Sequence, residues 1–139
     1  RQLAALNKAN GDLQQLADES LEFQVLFHTG ASELSVEGEA RVARLAQFIA
    51  EQESVELRLS GFADPRGADD YNEQLSQDRV NTIAALLEAN GVLGERISTH
   101  AFGKSMSIAG DGDLDAYALE RRVNIEVVPA SDATNMAAR

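Results

Sequence analysis

The 139-residue chain has no cysteine and no tryptophan, and only two prolines and two histidines. Without cysteine there are no disulfides and no thiolate metal sites, a condition compatible with either redox compartment. His28 and His100 lie 72 positions apart, a spacing that assembles no zinc site. No apolar run approaches the length of a membrane-spanning helix. Positive charge is also scarce. Twelve basic residues against twenty-three acidic ones leave a formal charge of −11, which repels phosphate backbones and anionic membrane surfaces. No nucleophile elbow, base–orienter order or phosphate-binding glycine fingerprint is present, so no catalytic activity and no cofactor is expected. The first residue is Arg1 with no signal pattern behind it, which reads as a piece of a longer protein.

What is present is a regular hydrophobic pattern. With 44% hydrophobic and 25% charged residues, the composition is that of one globular domain with a real core. Residues 1–20 carry Leu3, Leu6, Asn10, Leu13 and Ala17 at steps of three and four, a short amphipathic linker or lead-in helix with a coiled-coil-like seam. That seam leaves homo-oligomerisation open. The domain proper spans 21–129. Leu21, Phe23, Val25 and Phe27 alternate as a half-buried strand; Val42, Leu45, Ala46 and Ile49 mark one face of a helix over 37–51. Val55, Leu57 and Leu59 alternate again, and a second helix runs from about Asp70 to Ala89, burying Val80, Ile83, Ala84 and Leu87, with Gly91 as its cap. Strands follow at 96–102 and 121–128, separated by a Gly/Asp-rich loop. Residues 130–139 lack periodicity and read as a disordered tail. Polar residues on the second face of three strands predict an α+β two-layer sandwich, a four-stranded sheet with helices on one face.

The stretch "GFADPRGADDYNEQLSQDR", residues 61–79, concentrates the polar chemistry. Asp64 precedes Pro65 in a loop after a strand. Asp70 and Glu73 stand at capping-box spacing, so Asp70 reads as an N-cap. Tyr71, Leu75 and Arg79 lie four apart on a stripe beside the buried face. Helical side chains lean toward the N-terminus, which carries the Arg79 guanidinium toward the Asp64 loop. Two readings remain: a structural Asp–Arg pair, or a clamp for a zwitterion whose ammonium meets Asp64 and whose carboxylate meets Arg79. Asn72 and Ser76, one turn apart, either bind ligand or face water. Asp111, Asp113 and Asp115 imitate the opening of an EF-hand, but Ala116 stands where glycine is needed and Arg122 where the bidentate glutamate is needed. A solvated acidic loop without metal is the plainer reading. Alternation puts Arg121 and Arg122 on opposite faces of the last strand, with Arg122 beside Asn124 and Glu126.

Gly61-Phe62-Ala63-Asp64, Gly67, Tyr71-Asn72, Leu75-Ser76, Arg79, Gly103 and Arg121-Arg122-Val123 together resemble the OmpA C-terminal-like domain, shared with peptidoglycan-associated lipoproteins and flagellar stator proteins. The likeness covers about 21–129. It implies a mixed four-stranded sheet in βαβαββ order. It also implies a periplasmic or outer-membrane-associated anchor that binds peptidoglycan non-covalently through diaminopimelate of the stem peptide. Attachment to the outer membrane would come through a missing N-terminal part. The alternative is the same fold kept as a protein-interaction module, with the lead-in helix as its oligomerisation element. In the family the loop aspartate holds the ammonium and the helix arginine the carboxylate, roles that fall on Asp64 and Arg79. Thr29 and Gly30 in the first loop, Ala63, Asn72 and Leu75 would lie near the ligand, with Arg122 supporting the floor. Substituting Asp64 or Arg79 by alanine is expected to abolish wall binding with the fold intact. Three departures stand out: Gly30 occupies the place of an Asp or Asn, Glu120 that of the asparagine before the double arginine, and Ser107 falls near the place of the proline common after the third strand. Glu120 is expected to set a negative charge beside Arg121 and Arg122.

Overall fold

A computed structural model describes residues 21–52 and 54–129. The lead-in helix read at 1–20 and the tail read at 130–139 lie outside the described residues. The elements are β1 (Leu21–Leu26), α1 (Val36–Ala50), β2 (Val55–Gly61), α2 (Asp69–Ala89), β3 (Ile97–Ala101), α3 (Leu114–Glu120) and β4 (Arg122–Pro129), with a short 3-10 turn at Gly94–Arg96. The strands form one mixed sheet in the order β1-β4-β2-β3. β4 runs antiparallel to both β1 and β2, and β3 runs parallel to β2. This is the expected α+β sandwich, with one helix more than the sequence pattern indicated.

Two of the three α-helices described start at a side-chain cap. Ser35 caps α1, its Oγ accepting from the Gly38 N–H at 3.0 Å. The face Val42, Ala46 and Ile49 is buried, one turn apart as expected. α2 starts one residue earlier than expected. Its N-cap position is Ala68, with no side-chain cap, so Asp70 is not the N-cap. Asp69 and Asp70 instead sit in the first turn, where carboxylates interact favourably with the helix dipole. The third helix was missed because residues 114–120 hold two turns only. Asp113, one of the three acidic loop residues, caps it by accepting from the Ala116 N–H at 3.1 Å.

The core lies between the sheet and the two long helices. Val55, Leu57 and Leu59 of β2, Val123, Ile125 and Val127 of β4, and Val80, Ile83 and Leu87 of α2 are all at most 1% exposed. Gly61 lets α2 lie this close to β2. A Cβ there would stand 2.4 Å from Val80 Cγ2 and 2.5 Å from the Ser76 carbonyl oxygen. β1 is different. Phe27, just beyond its end, is buried, but Leu21 and Phe23 are each 39% exposed. The face that alternation assigned to the core is therefore closed at its C-terminal end and open at its start. The opposite sheet face is polar, as expected, and carries the exposed Arg58–Glu126 pair.

Candidate functional site

The C-terminal ends of β1, β2 and β3 and the beginning of β4 meet at one end of the sheet. Four segments gather there: the loop after β1, the loop 62–68, the turn after β3, and the α3–β4 junction. Backbone bonds lock them together. The Ala63 N–H donates to the Gly103 carbonyl at 2.8 Å, Phe62 to Arg122 at 2.9 Å, and Phe27 to Arg121 at 2.8 Å.

α2 supplies the inner wall, and its buried stripe changes chemistry halfway along. Val80, Ile83 and Leu87 continue toward the N-terminus as Asn72, Ser76 and Arg79, all three buried. Asn72 and Ser76 therefore face inward rather than water. Asn72 Nδ2 donates to the Arg66 carbonyl at 2.7 Å and fixes the loop. Ser76 Oγ donates to the Glu73 carbonyl and accepts from the Gly103 N–H, both at 2.8 Å. Tyr71 is 55% exposed and Leu75 half-buried, so Arg79 belongs to the inner stripe and not to theirs.

Arg79 is wholly buried. Its Nε donates to the Ala31 carbonyl at 2.8 Å, one terminal nitrogen to Phe62 at 3.0 Å and the other to His28 at 3.2 Å. Its guanidinium also stands 5.3 Å from the centre of the Phe27 ring. Burial, and secondarily the charge of Arg121, pushes its pKa down to about 10, so it remains protonated at neutral pH. The planar fork thus joins the β1–α1 loop to the end of β2 through three carbonyls. That geometry makes a loss of stability, rather than an untouched fold, the expected outcome of Arg79→Ala.

Asp64 is 7% exposed and does not pair with Arg79. Its Oδ1 accepts from the Arg66 N–H at 3.1 Å and from Arg66 Nε at 3.0 Å, while Oδ2 accepts from Arg66 Nη2 at 2.9 Å. Arg121 adds a second cation, 3.6 Å from Oδ2. The Arg66 hydrogen bonds hold the Asp64 carboxyl below its ordinary range, against the opposing effect of burial. Arg66 itself lies over the Tyr117 ring at 4.9 Å and reaches Thr29 Oγ1 at 3.4 Å. Sequence reasoning missed Arg66 and Tyr117 as parts of the site. The signal for Arg66 was its place two residues after Asp64, where an aspartate side chain turns back on the local backbone.

The remaining residues sit around this pair. Arg122 lies 4.1 Å from the centre of the Phe62 ring and donates to Asn124 Oδ1 at 3.1 Å, on the polar face that alternation gave it. Phe62 in turn stacks on Phe102 at 5.3 Å. Gly30 adopts φ +66, a left-handed conformation that glycine, asparagine and aspartate tolerate best. Glu120 corrects a further expectation. Its carboxylate turns from the arginines and accepts from Ser107 Oγ and the N–H groups of Ile108 and Ala109 at 2.8–3.1 Å. It clamps the 107–109 loop.

The model of the OmpA family matches residues 26–121, more than half of the chain. Outer membrane porin F of Pseudomonas aeruginosa is 30% identical over 108 residues, 77% of this chain and 31% of its own length. The peptidoglycan-associated lipoprotein of Buchnera aphidicola is 32% identical over 78 residues, 56% of this chain and 45% of its own. The chain thus spans less than half the length of these curated relatives. Among solved structures, the peptidoglycan-associated lipoprotein from Burkholderia pseudomallei superposes with a TM-score of 0.70 at 23% identity, over 75% of this chain and 88% of that one.

Proposed function

The chain belongs to the OmpA family, and from that premise we propose that this domain binds peptidoglycan without chemistry, holding a larger envelope protein to the cell wall on the periplasmic side of the outer membrane. The relatives named as peptidoglycan-associated lipoproteins and outer-membrane porins support this reading. The observation that carries it is Asp64, a nearly buried carboxylate kept ionised at a loop mouth where four segments converge.

The ligand chemistry that suits the site is the free amino-acid end of diaminopimelate in a stem peptide. Its ammonium meets Asp64. Its carboxylate enters the positive field of Arg79 and Arg121, and direct contact with Arg79 requires the 28–31 backbone over that guanidinium to open. Thr29, Gly30 and Ala63 line the mouth, Leu75 offers an apolar wall, Asn72 fixes the loop, and Arg122 supports the floor through Phe62. Two charge-assisted contacts of roughly 1.5–3 kcal/mol each leave modest affinity per site after ordering and desolvation costs. Repetition along a wall polymer multiplies it.

Co-sedimentation with purified sacculi containing diaminopimelate tests the reading. The wild-type chain pellets, Asp64→Ala stays in the supernatant with an unchanged circular dichroism spectrum, and no muropeptide is released. Undiminished pelleting of Asp64→Ala removes Asp64 from the site. A second reading, the same fold serving as a protein-interaction module, draws on the two guanidinium groups already engaging Asp64. It gains if the wild-type chain itself fails to pellet.

A further inference from the structure

A row of stacked side chains beside the Asp64 loop ends in a ring that the proposed site leaves unused. Gly61 faces α2, so Phe62 next to it turns to the polar side of the sheet. There the Arg122 guanidinium stands 4.1 Å from the Phe62 ring centre, and Phe62 stacks on Phe102 at 5.3 Å with the two planes 12° apart. His100 stands 6.3 Å from the Phe102 ring. Because β3 is an edge strand, Phe102 is the outermost member of the row. It is 38% exposed, whereas Phe62 is 9% exposed. Stacking on a buried ring fixes the orientation of Phe102 before any ligand arrives, which lowers the ordering cost of binding.

Phe102 also borders a concavity of about 400 Å³ between the start of α2 and the turn after β3, walled by Asp69, Glu73, Lys104 and Ser105. Main chain forms part of its floor: a Cβ on Gly103 would stand 3.1 Å from the Glu73 backbone. Lys104 Nζ is held in place by the Gly67 carbonyl at 2.7 Å and the Asp69 carboxylate at 3.2 Å.

We propose that Phe102 and this concavity form a second subsite, for a neutral pyranose ring of the wall glycan. The inference rests on the peptidoglycan reading above and adds the sugar to it. A pyranose offers a face of C–H bonds, which suits the negative face of an aromatic ring, and a rim of hydroxyls that both donate and accept. The carboxylates of Asp69 and Glu73 accept, the Lys104 ammonium donates, and the His100 imidazole adds a further polar edge. A purely apolar ligand would leave these groups unpaired. Two carboxylates against one ammonium, in a chain of net charge −11, disfavour an anionic ligand. The location fits as well. The Ala63 N–H donates to the Gly103 carbonyl at 2.8 Å, so the turn that carries Phe102 is bonded to the residue before Asp64. Sugar and stem peptide are covalently joined in the wall, and adjoining subsites would therefore bind them at high effective concentration.

NMR titration of the full 139-residue chain with two separate probes tests this. An N-acetylglucosamine tetramer without peptide should shift the amides of residues 100–105, 69 and 73 and leave 28–32 and 64–67 unmoved. A sugar-free stem tripeptide ending in diaminopimelate should do the reverse. Phe102→Ala should weaken tetramer binding about tenfold with peptide binding unchanged, and Phe102→Tyr should restore it. Glu73→Gln, which leaves the aromatic row intact, should weaken the tetramer about threefold. Peptide binding with no tetramer shifts overturns the subsite and leaves the stem-peptide reading standing. Tetramer shifts without peptide binding support the subsite and remove the stem-peptide assignment. Shifts at 100–105 caused by the peptide, or equal tetramer affinity in Phe102→Ala, overturn the inference.

Discussion

Asp64 and Arg79 lie at the same end of the sheet, carry opposite charge and are almost equally hidden from solvent, yet they are held in different ways. Arg79 is fixed by main-chain carbonyls on two segments, none of which leaves without moving backbone. Asp64 accepts one backbone N–H, that of Arg66, and is otherwise held by side chains, above all by that of Arg66, which is 43% exposed. A group bound by a partly exposed side chain exchanges partners by a rotamer change. A group bound by three carbonyls does not. Asp64 is therefore the more exchangeable half of the candidate site, and Arg79 is its frame.

The contrast breaks most readily at Arg79. Alanine there strips a charged donor from three carbonyls and opens a void, a loss on the order of 3–5 kcal/mol, against about 1–2 kcal/mol for Asp64→Ala. Chemical denaturation measures both, and equal stabilities would dissolve the distinction. A smaller effect comes from acid. Because the folded pKa of Asp64 is depressed below the ordinary value of 3.8, its contribution is fully present above that value and is lost as pH falls through the folded pKa. Denaturation midpoints of the wild type and Asp64→Asn should accordingly differ at neutral pH and converge below pH 3.8; a constant gap would mean that the pairing with Arg66 adds nothing. The smallest structural effect is expected from Arg66→Ala. It removes the main partner of the carboxylate and leaves Arg121 at 3.6 Å, so on the proposed reading the fold is retained and pelleting with sacculi rises. Reduced pelleting would make Arg66 part of the ligand contact instead of its competitor.

The distinction was only half legible in the sequence. Alternation and helical spacing gave β1, α1, β2, α2, β3 and β4 because each repeats an apolar residue often enough to define a face. α3 has only Tyr117 and Glu120 on its buried side, and its flanking glycines and aspartates read as loop. The spacing from Asp64 to Arg79 drew attention to both residues, but it put Arg79 one stripe off, beside Tyr71. Main-chain carbonyls are the reason. Every residue has one, so the partners that allow a guanidinium to be buried leave no mark in the sequence. Glu120 failed similarly: the amides of Ile108 and Ala109 are invisible as capping groups until the loop closes around them.

The strand order has a mechanical consequence. Leu21, where the preceding chain joins the sheet, is paired with Val127 near the far end of β4, while the loops carrying Asp64 and Thr29 leave the opposite end. In an anchor of the proposed kind, tension arriving through the preceding chain and resisted at the wall runs lengthwise along β1. The bonds between β1 and β4 lie across that direction, so the six paired positions bear the load in shear, together, rather than peeling apart one after another.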